Sequence, residues 1–160
     1  ALTVAHGLIA MGSSKVLVIG TDTLSRITDW SDRNTAVLFA DGSGAVVLEA
    51  VDGPGQMLAW DIDADGSAEE SLYAELGGFI QMEGKDVFRK AVRIMVDSAT
   101  KSLTAAGLTA DDVDVVIPHQ ANIRIIQAAC ERLGIPMEKA STVLHYTGNT
   151  SSASIPLVPS

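Results

Sequence analysis

Short unbroken apolar runs, each stopped by glycine, aspartate or a polar turn, constrain this chain more than any other feature. Lys15-Val-Leu-Val-Ile-Gly20 is the clearest. A run this short, without the alternation of a half-solvated strand, is the pattern of a strand covered on both faces. Residues 36–40, 45–50, 57–62 and 113–117 read the same way, with 141–144 as a shorter strand. Between them the period changes to that of helices. Over 84–106, Val87, Phe88, Ala91, Ile94, Met95 and Leu103 fall near helical spacing, and 121–133 is a further helix ended by Gly134 and Pro136. Residues 1–11 are apolar on all sides, which predicts a buried helix stopped by Gly12. Strands alternating with helices predict an α/β protein with a largely parallel, buried sheet.

The connections are read from their punctuation. Asp41-Gly-Ser-Gly44 is a turn or a close-approach loop, and Thr109-Ala-Asp-Asp112 is a turn carrying acids at a helix start. Residues 64–83 are the least patterned and are expected to form a surface loop. Asn149 onward is expected to be a loop entering another apolar helix. Val51-Asp-Gly-Pro-Gly55 is the best boundary between substructures.

Composition narrows the function classes. With 47% apolar and 19% charged residues, disorder and coiled coil are excluded. A net charge of −9 makes the chain a poor general binder of nucleic acid or of anionic membrane. No apolar run reaches the roughly 18 residues of a membrane span. The single cysteine, Cys130, permits neither an internal disulfide nor a thiolate cluster, which suits a reducing, cytoplasmic setting. The chain opens without Met in what reads as a helix already under way, and it stops just after an apolar run. It therefore reads as a piece cut from a longer protein.

Pro118-His119-Gln120-Ala121-Asn122 stands where an apolar strand gives way to a helix, the place where catalytic groups collect in α/β sheets. His119 there is either a catalytic donor or a residue that satisfies the turn. In His145-Tyr-Thr-Gly148-Asn149-Thr-Ser-Ser-Ala153, Gly148 allows close backbone approach, and Asn149 either presents an amide to a ligand or caps a turn. Asp61-x-Asp63-x-Asp65-Gly66 imitates a calcium loop, but Leu72 stands where the bidentate Glu is needed, so it reads as a polar turn. Cys130 lies inside a helix and reads as core, His6 and His145 read as structural, and no spacing suggests a metal site. Lys85, Arg89, Lys90, Arg93, Arg124 and Arg132 gather six of the eleven cations on two helices, either a solvated face or a docking face for an acidic partner.

Together, PHQANIRIIQAA and HYTGNTSSASIP resemble the histidine and asparagine motifs of the β-ketoacyl-acyl-carrier-protein synthase III family. VLVIGTDTLSR, SDRNTAVLFADGSGAVVLEA and MEGKDVFRKAV agree in order, so the resemblance spans residues 1–157. Val158-Pro-Ser160 departs from the pattern. The resemblance implies a thiolase-like fold, a five-layer αβαβα sandwich with mixed, largely parallel sheets. Residues 1–52 would end the N-terminal half, and 53–160 would form most of the C-terminal half. It implies a homodimer when complete, and a nucleophilic cysteine located before Ala1.

The implied reaction is a decarboxylative condensation of acyl-CoA with malonyl-acyl carrier protein, initiating fatty-acid synthesis without a cofactor or metal. His119 and Asn149 would be its catalytic donors. Arg26 and Asn122 would contact CoA, Phe88 would line the tunnel, and Arg89, Arg124 and Arg132 would dock the acidic carrier protein. Glu131 stands where some relatives have another cation. Two other expectations stay open: another Cys-His-Asn enzyme, such as a polyketide starter synthase, and a catalytically silent binding module.

Overall fold

The structure, a computed structural model, describes residues 1–158; Pro159 and Ser160, the end of the expected second half, lie outside the described residues. Helix α1 (Leu2–Ala10) leads into strand β1 (Lys15–Thr23), which pairs antiparallel with β2 (Asp41–Glu49). The register runs from Lys15 opposite Glu49 to Thr23 opposite Asp41. Along β1, half-buried and exposed residues alternate. Val16, Val18, Gly20 and Asp22 face inward, while Leu17 and Ile19 stand 60% and 58% exposed.

That corrects the expectation of a strand covered on both faces. The run is apolar enough for double cover, but the described residues pack against one face only. The same holds for α1, expected to be buried, where Ala5 is core and Val4 is 67% exposed.

Asp41-Gly-Ser-Gly44 is not a turn but the first part of β2, and its close-approach character is real. Gly42 and Gly44 lie opposite Asp22 and Gly20. A Cβ at Gly42 would come to 2.7 Å from Thr150 Cγ2, and one at Gly44 to 2.9 Å from Pro156 Cγ. The strand pair thus forms a floor on which residues 150–156 sit. Ala153 and Ser154 are fully buried there.

Four other expected strands differ. Residues 36–40 form a turn in which Phe39 alone bridges, parallel, to Asn149. The cause is Asp32, whose side chain accepts from Asn34 N at 3.0 Å and Thr35 Oγ1 at 2.8 Å and coils the chain before a ladder can start. Residues 57–62 show period-two exposure, with Leu58, Trp60 and Ile62 facing out, but they join no described ladder. Residues 141–144 do not form a strand, because Gln120 takes the hydrogen bonds of Ser141 O and Val143 N and Leu144 begins the short helix α4 (Leu144–Thr147). Of 113–117, only Val116 bridges, parallel, to Ala140. Parallel pairing is therefore present as isolated bridges, and both described ladders are antiparallel.

Residues 64–83 hold more order than expected. A 3-10 turn (Gly66–Ser71), capped by Asp65, leads into a hairpin of β3 (Leu72–Ala74) and β4 (Ile80–Met82). Helix α2 spans Gly84–Ala106, as expected. Helix α3 (Ile123–Leu133) begins two residues after the expected start, because Asn122 is its cap. Its Ile125, Ile126, Ala129 and Cys130 are buried, and α2 contributes Val92 to the core. Each aliphatic side chain buried this completely contributes roughly 1.5–3 kcal/mol. Asn149 onward forms the 3-10 turn Ser151–Ser154. No helix among the described residues is long and apolar enough to cross a membrane.

Candidate active site

The chain leaves the Val116 bridge, turns at His119 and enters α3, and Gln120 fixes that turn. Its side chain is wholly buried. Nε2 donates to Pro118 O at 2.8 Å and Ser141 O at 3.2 Å, and Oε1 accepts from Val143 N at 3.0 Å. The backbone on both sides of His119 is thereby tied to residues 141–143. Asn122 Oδ1 accepts from Arg124 N at 2.9 Å, a cap that stabilises such a helix by about 1 kcal/mol.

Asn149 is placed by a different device. Gly148 has φ +67°, and a Cβ there would lie 2.9 Å from Ala40 Cβ. Asn149 N donates to Leu38 O and its carbonyl accepts from Ala40 N, both at 2.9 Å. Its side-chain Oδ1 accepts from Ser151 N at 3.0 Å, so Nδ2 is the atom left to donate outward. Ser151 itself has φ +48°. Left-handed backbone costs a residue with a Cβ roughly 1–2 kcal/mol, so its surroundings must hold it there.

Ser154 joins the two candidates. Its Oγ lies 2.6 Å from His119 Nδ1, 2.7 Å from Ser151 O and 3.2 Å from Gln120 N. The hydroxyl has one proton for two acceptors, Nδ1 and Ser151 O. When it donates to Nδ1, the neutral ring carries its proton on Nε2, pointing away from the turn. His119 is exposed overall, but burial of its inner edge pushes its pKa below the ordinary value; the Ser151 backbone opposes this only in part, so the ring is neutral at pH 7. An NMR titration of His119 is expected to give a pKa below about 6.5; a value at or above that would contradict the desolvation of its inner edge.

A cleft of about 1280 Å³ opens between the hairpin, α2 and the start of α3. It brings together His119, Asn149, Asn122, Phe88, Arg89 and Arg124; Arg26 and Arg132 lie outside its lining. The Arg124 guanidinium sits over the Phe88 ring, 5.8 Å from its centroid, a cation–π contact at the rim. Asp86 contacts Lys90 at 2.7 Å and Arg89 at 3.3 Å. Its hydrogen bonds with Lys90 and Ser71, with the nearby cations, lower its carboxyl pKa to about 2. Part of the basic face on α2 is thus neutralised from within. Arg26 ends the 3-10 turn Leu24–Arg26, where Asp41 accepts from Ser25 N at 2.8 Å and Ser25 Oγ at 2.6 Å. Arg132 is in the last turn of α3.

The other chemistry-bearing residues have packing roles. Cys130 is 4% exposed and burial raises its thiol pKa, the opposite of what a nucleophile needs. His6 packs on Trp60 and His145 on Tyr146. Asp61 and Asp63 face Lys101, each at 3.7 Å, and Asp65 caps the following turn. Sequence reasoning missed Gln120, Ser154 and Asp22, which accepts from Ser152. All three sit inside the quoted motifs, but residue type alone does not announce a supporting role.

The architecture is that of a thiolase-like synthase. The structure superimposes on the crystal structure of 3-oxoacyl-[acyl-carrier-protein] synthase III from Aquifex aeolicus with a TM-score of 0.95 and 46% identity, over 98% of this chain and 51% of that one. It superimposes on the priming β-ketosynthase of the R1128 polyketide pathway with a TM-score of 0.88 and 37% identity, over 98% and 51%. The profile of 3-oxoacyl-[acyl-carrier-protein] synthase III matches residues 1–66, and that of its C-terminal part matches 103–159. The β-ketoacyl-[acyl-carrier-protein] synthase III of Rhodobacter capsulatus is 48% identical over 98% of this chain and 52% of its own length. That of Geobacillus kaustophilus is 54% identical over 89% and 45%. The chain belongs to the 3-oxoacyl-[acyl-carrier-protein] synthase III family, and it spans about half the length of the curated relatives it matches.

Proposed function

We propose that the protein carrying this chain is a β-ketoacyl-acyl-carrier-protein synthase, condensing acyl-CoA with malonyl-acyl carrier protein at the start of fatty-acid synthesis. The observation that carries this reading is the donor pair in one cleft. His119 and Asn149 both line it, and each has its other polar atom tied back to the Ser151–Ser154 turn.

A cysteine thiolate outside this chain attacks the acyl-CoA thioester, and the CoA thiolate leaves. Malonyl thioester bound in the cleft then loses carbon dioxide. The electron pair of the broken C–C bond moves onto the thioester oxygen, where His119 Nε2–H and Asn149 Nδ2–H receive the charge. Donors fixed before the charge forms need no reorganisation as it develops. The enolate carbon next attacks the acyl-cysteine carbonyl, forming the new C–C bond and releasing the thiolate. This chemistry calls for no cofactor or metal.

The remaining roles follow from the cleft. Phe88 lines its apolar wall, and Asn122 stands at the mouth with its amide nitrogen directed to the pantetheine. Arg26, outside the lining, serves the nucleotide end of CoA. Arg89 and Arg124 at the rim, with Arg132 further along α3, form the docking face for the acidic carrier protein. Residues 1–52 and 53–160 belong to the two halves of the complete fold, which works as a cytoplasmic homodimer.

The likeness to a polyketide priming synthase favours a second reading, in which the same chemistry primes a polyketide. The test is the condensation rate of the full-length protein with malonyl-acyl carrier protein and a series of acyl-CoA starters. Condensation with a short starter is expected; inability to use malonyl-acyl carrier protein would remove the first reading.

A further inference from the structure

We propose that Asp22 is a positioning residue for the donor pair, acting across the fold through Ser152. This rests on the roles given above to His119 and Asn149. Asp22 is on β1, half-buried and outside the lining of the cleft. Its Oδ2 accepts from Ser152 N at 2.9 Å and also from Ser152 Oγ, a contact between residues 130 positions apart. Two positions earlier on the same face, Gly20 lies against the Ser152 carbonyl, where any Cβ would overlap. Strand β1 therefore grips the Ser152 residue at both its N–H and its C=O.

What that grip holds is the residue before it. Ser151 is the only described non-glycine residue with positive φ. Its N–H binds Asn149 Oδ1, and its carbonyl competes with His119 Nδ1 for the single proton of the Ser154 hydroxyl. Both donors thus depend on the orientation of one left-handed residue. Without the carboxylate, Ser151 relaxes toward right-handed values, its N–H and C=O rotate away, Asn149 Oδ1 loses its partner, and the Ser154 hydroxyl loses one of its two acceptors. The bonds from Ser152 hold the Asp22 carboxyl below its ordinary pKa, so the grip is charged at neutral pH.

The test compares Asp22→Ala and Asp22→Asn in the full-length protein, reading malonyl-carrier decarboxylation and acyl-CoA-dependent cysteine acylation separately. A misplacement of this kind is expected to lower the decarboxylation kcat of Asp22→Ala about 10- to 100-fold, with KM and acylation within about twofold. Asp22→Asn, which keeps an acceptor for Ser152 N–H, recovers most of the rate. Unchanged decarboxylation in Asp22→Ala overturns the proposal. So does an equal loss of both activities, which marks a general strut, or a crystal structure of the variant with Ser151 still near its present φ. If Asp22→Ala does not fold, Asp22→Leu, which is close in shape and has no acceptor for Ser152 N–H, replaces it, with the same selective loss expected and wild-type decarboxylation contradicting it. A wild-type protein that never decarboxylates malonyl thioester fails the functional reading instead, and the φ of Ser151 in the variant still decides the role of Asp22.

Discussion

His119→Ala in the full-length protein is expected to lower malonyl-carrier decarboxylation about 100- to 1,000-fold, the usual effect of removing one donor from a site that stabilises an oxyanion. Cysteine acylation is expected to stay within a few-fold of wild type, because the enolate forms only in the second half-reaction. The structural reason is the arrangement of the ring: its inner nitrogen is 2.6 Å from Ser154 Oγ, and burial holds the imidazole neutral. A neutral ring has one proton, and the Ser154 contact allows that proton to be on the outer nitrogen. Steady-state kinetics on both half-reactions check this. Comparable decarboxylation in the variant, or a collapse of acylation in step with it, would remove the role given to His119.

Gln120→Leu is expected to destabilise the protein by about 3–4 kcal/mol. Leucine fills a similar volume but supplies no polar atom. Pro118 O, Ser141 O and Val143 N would all lose a buried partner, and each orphaned group costs about 1–3 kcal/mol before relaxation. The same bonds fix the turn on which His119 stands, so decarboxylation falls as well. Equilibrium unfolding of the full-length variant in urea measures the loss. A change under about 1 kcal/mol would show that water or a shifted backbone replaces the amide, and that Gln120 is not the anchor of the turn.

The helices were the most legible elements because their signals are local. The long α2 matches its sequence boundaries, and α3 differs at one end only because Asn122 caps instead of joining. Strands were less legible because a strand needs a partner that the run itself does not specify. The apolar run at 57–62 finds no described ladder, 36–40 is coiled by Asp32, and 141–143 spends its hydrogen bonds on the Gln120 side chain. The hairpin of β3 and β4 escaped notice because three-residue strands carry too little periodicity to read. Exposed Leu17, Ile19 and Val47 show the complementary failure: composition reported a need for cover that the described residues do not meet.

The candidate site divides along the same line. His119 and Asn149 stood out as chemical types at a strand end and beside a glycine, and the family motifs joined them. Arg89, Arg124, Phe88 and Asn122 meet them in one cleft, whereas Arg26 and Arg132 do not. Ser151 meets Asn149 and Ser154 within three positions, but the reach of Asp22 to Ser152 crosses 130 positions, which no local pattern encodes.

The most direct test is a crystal structure of the full-length protein with a non-hydrolysable malonyl-thioester analogue. The thioester oxygen is expected within about 2.7–3.1 Å of both His119 Nε2 and Asn149 Nδ2, with Ser154 Oγ still on Nδ1. An oxygen bound by neither nitrogen, in an otherwise ordered complex, would contradict the donor pair.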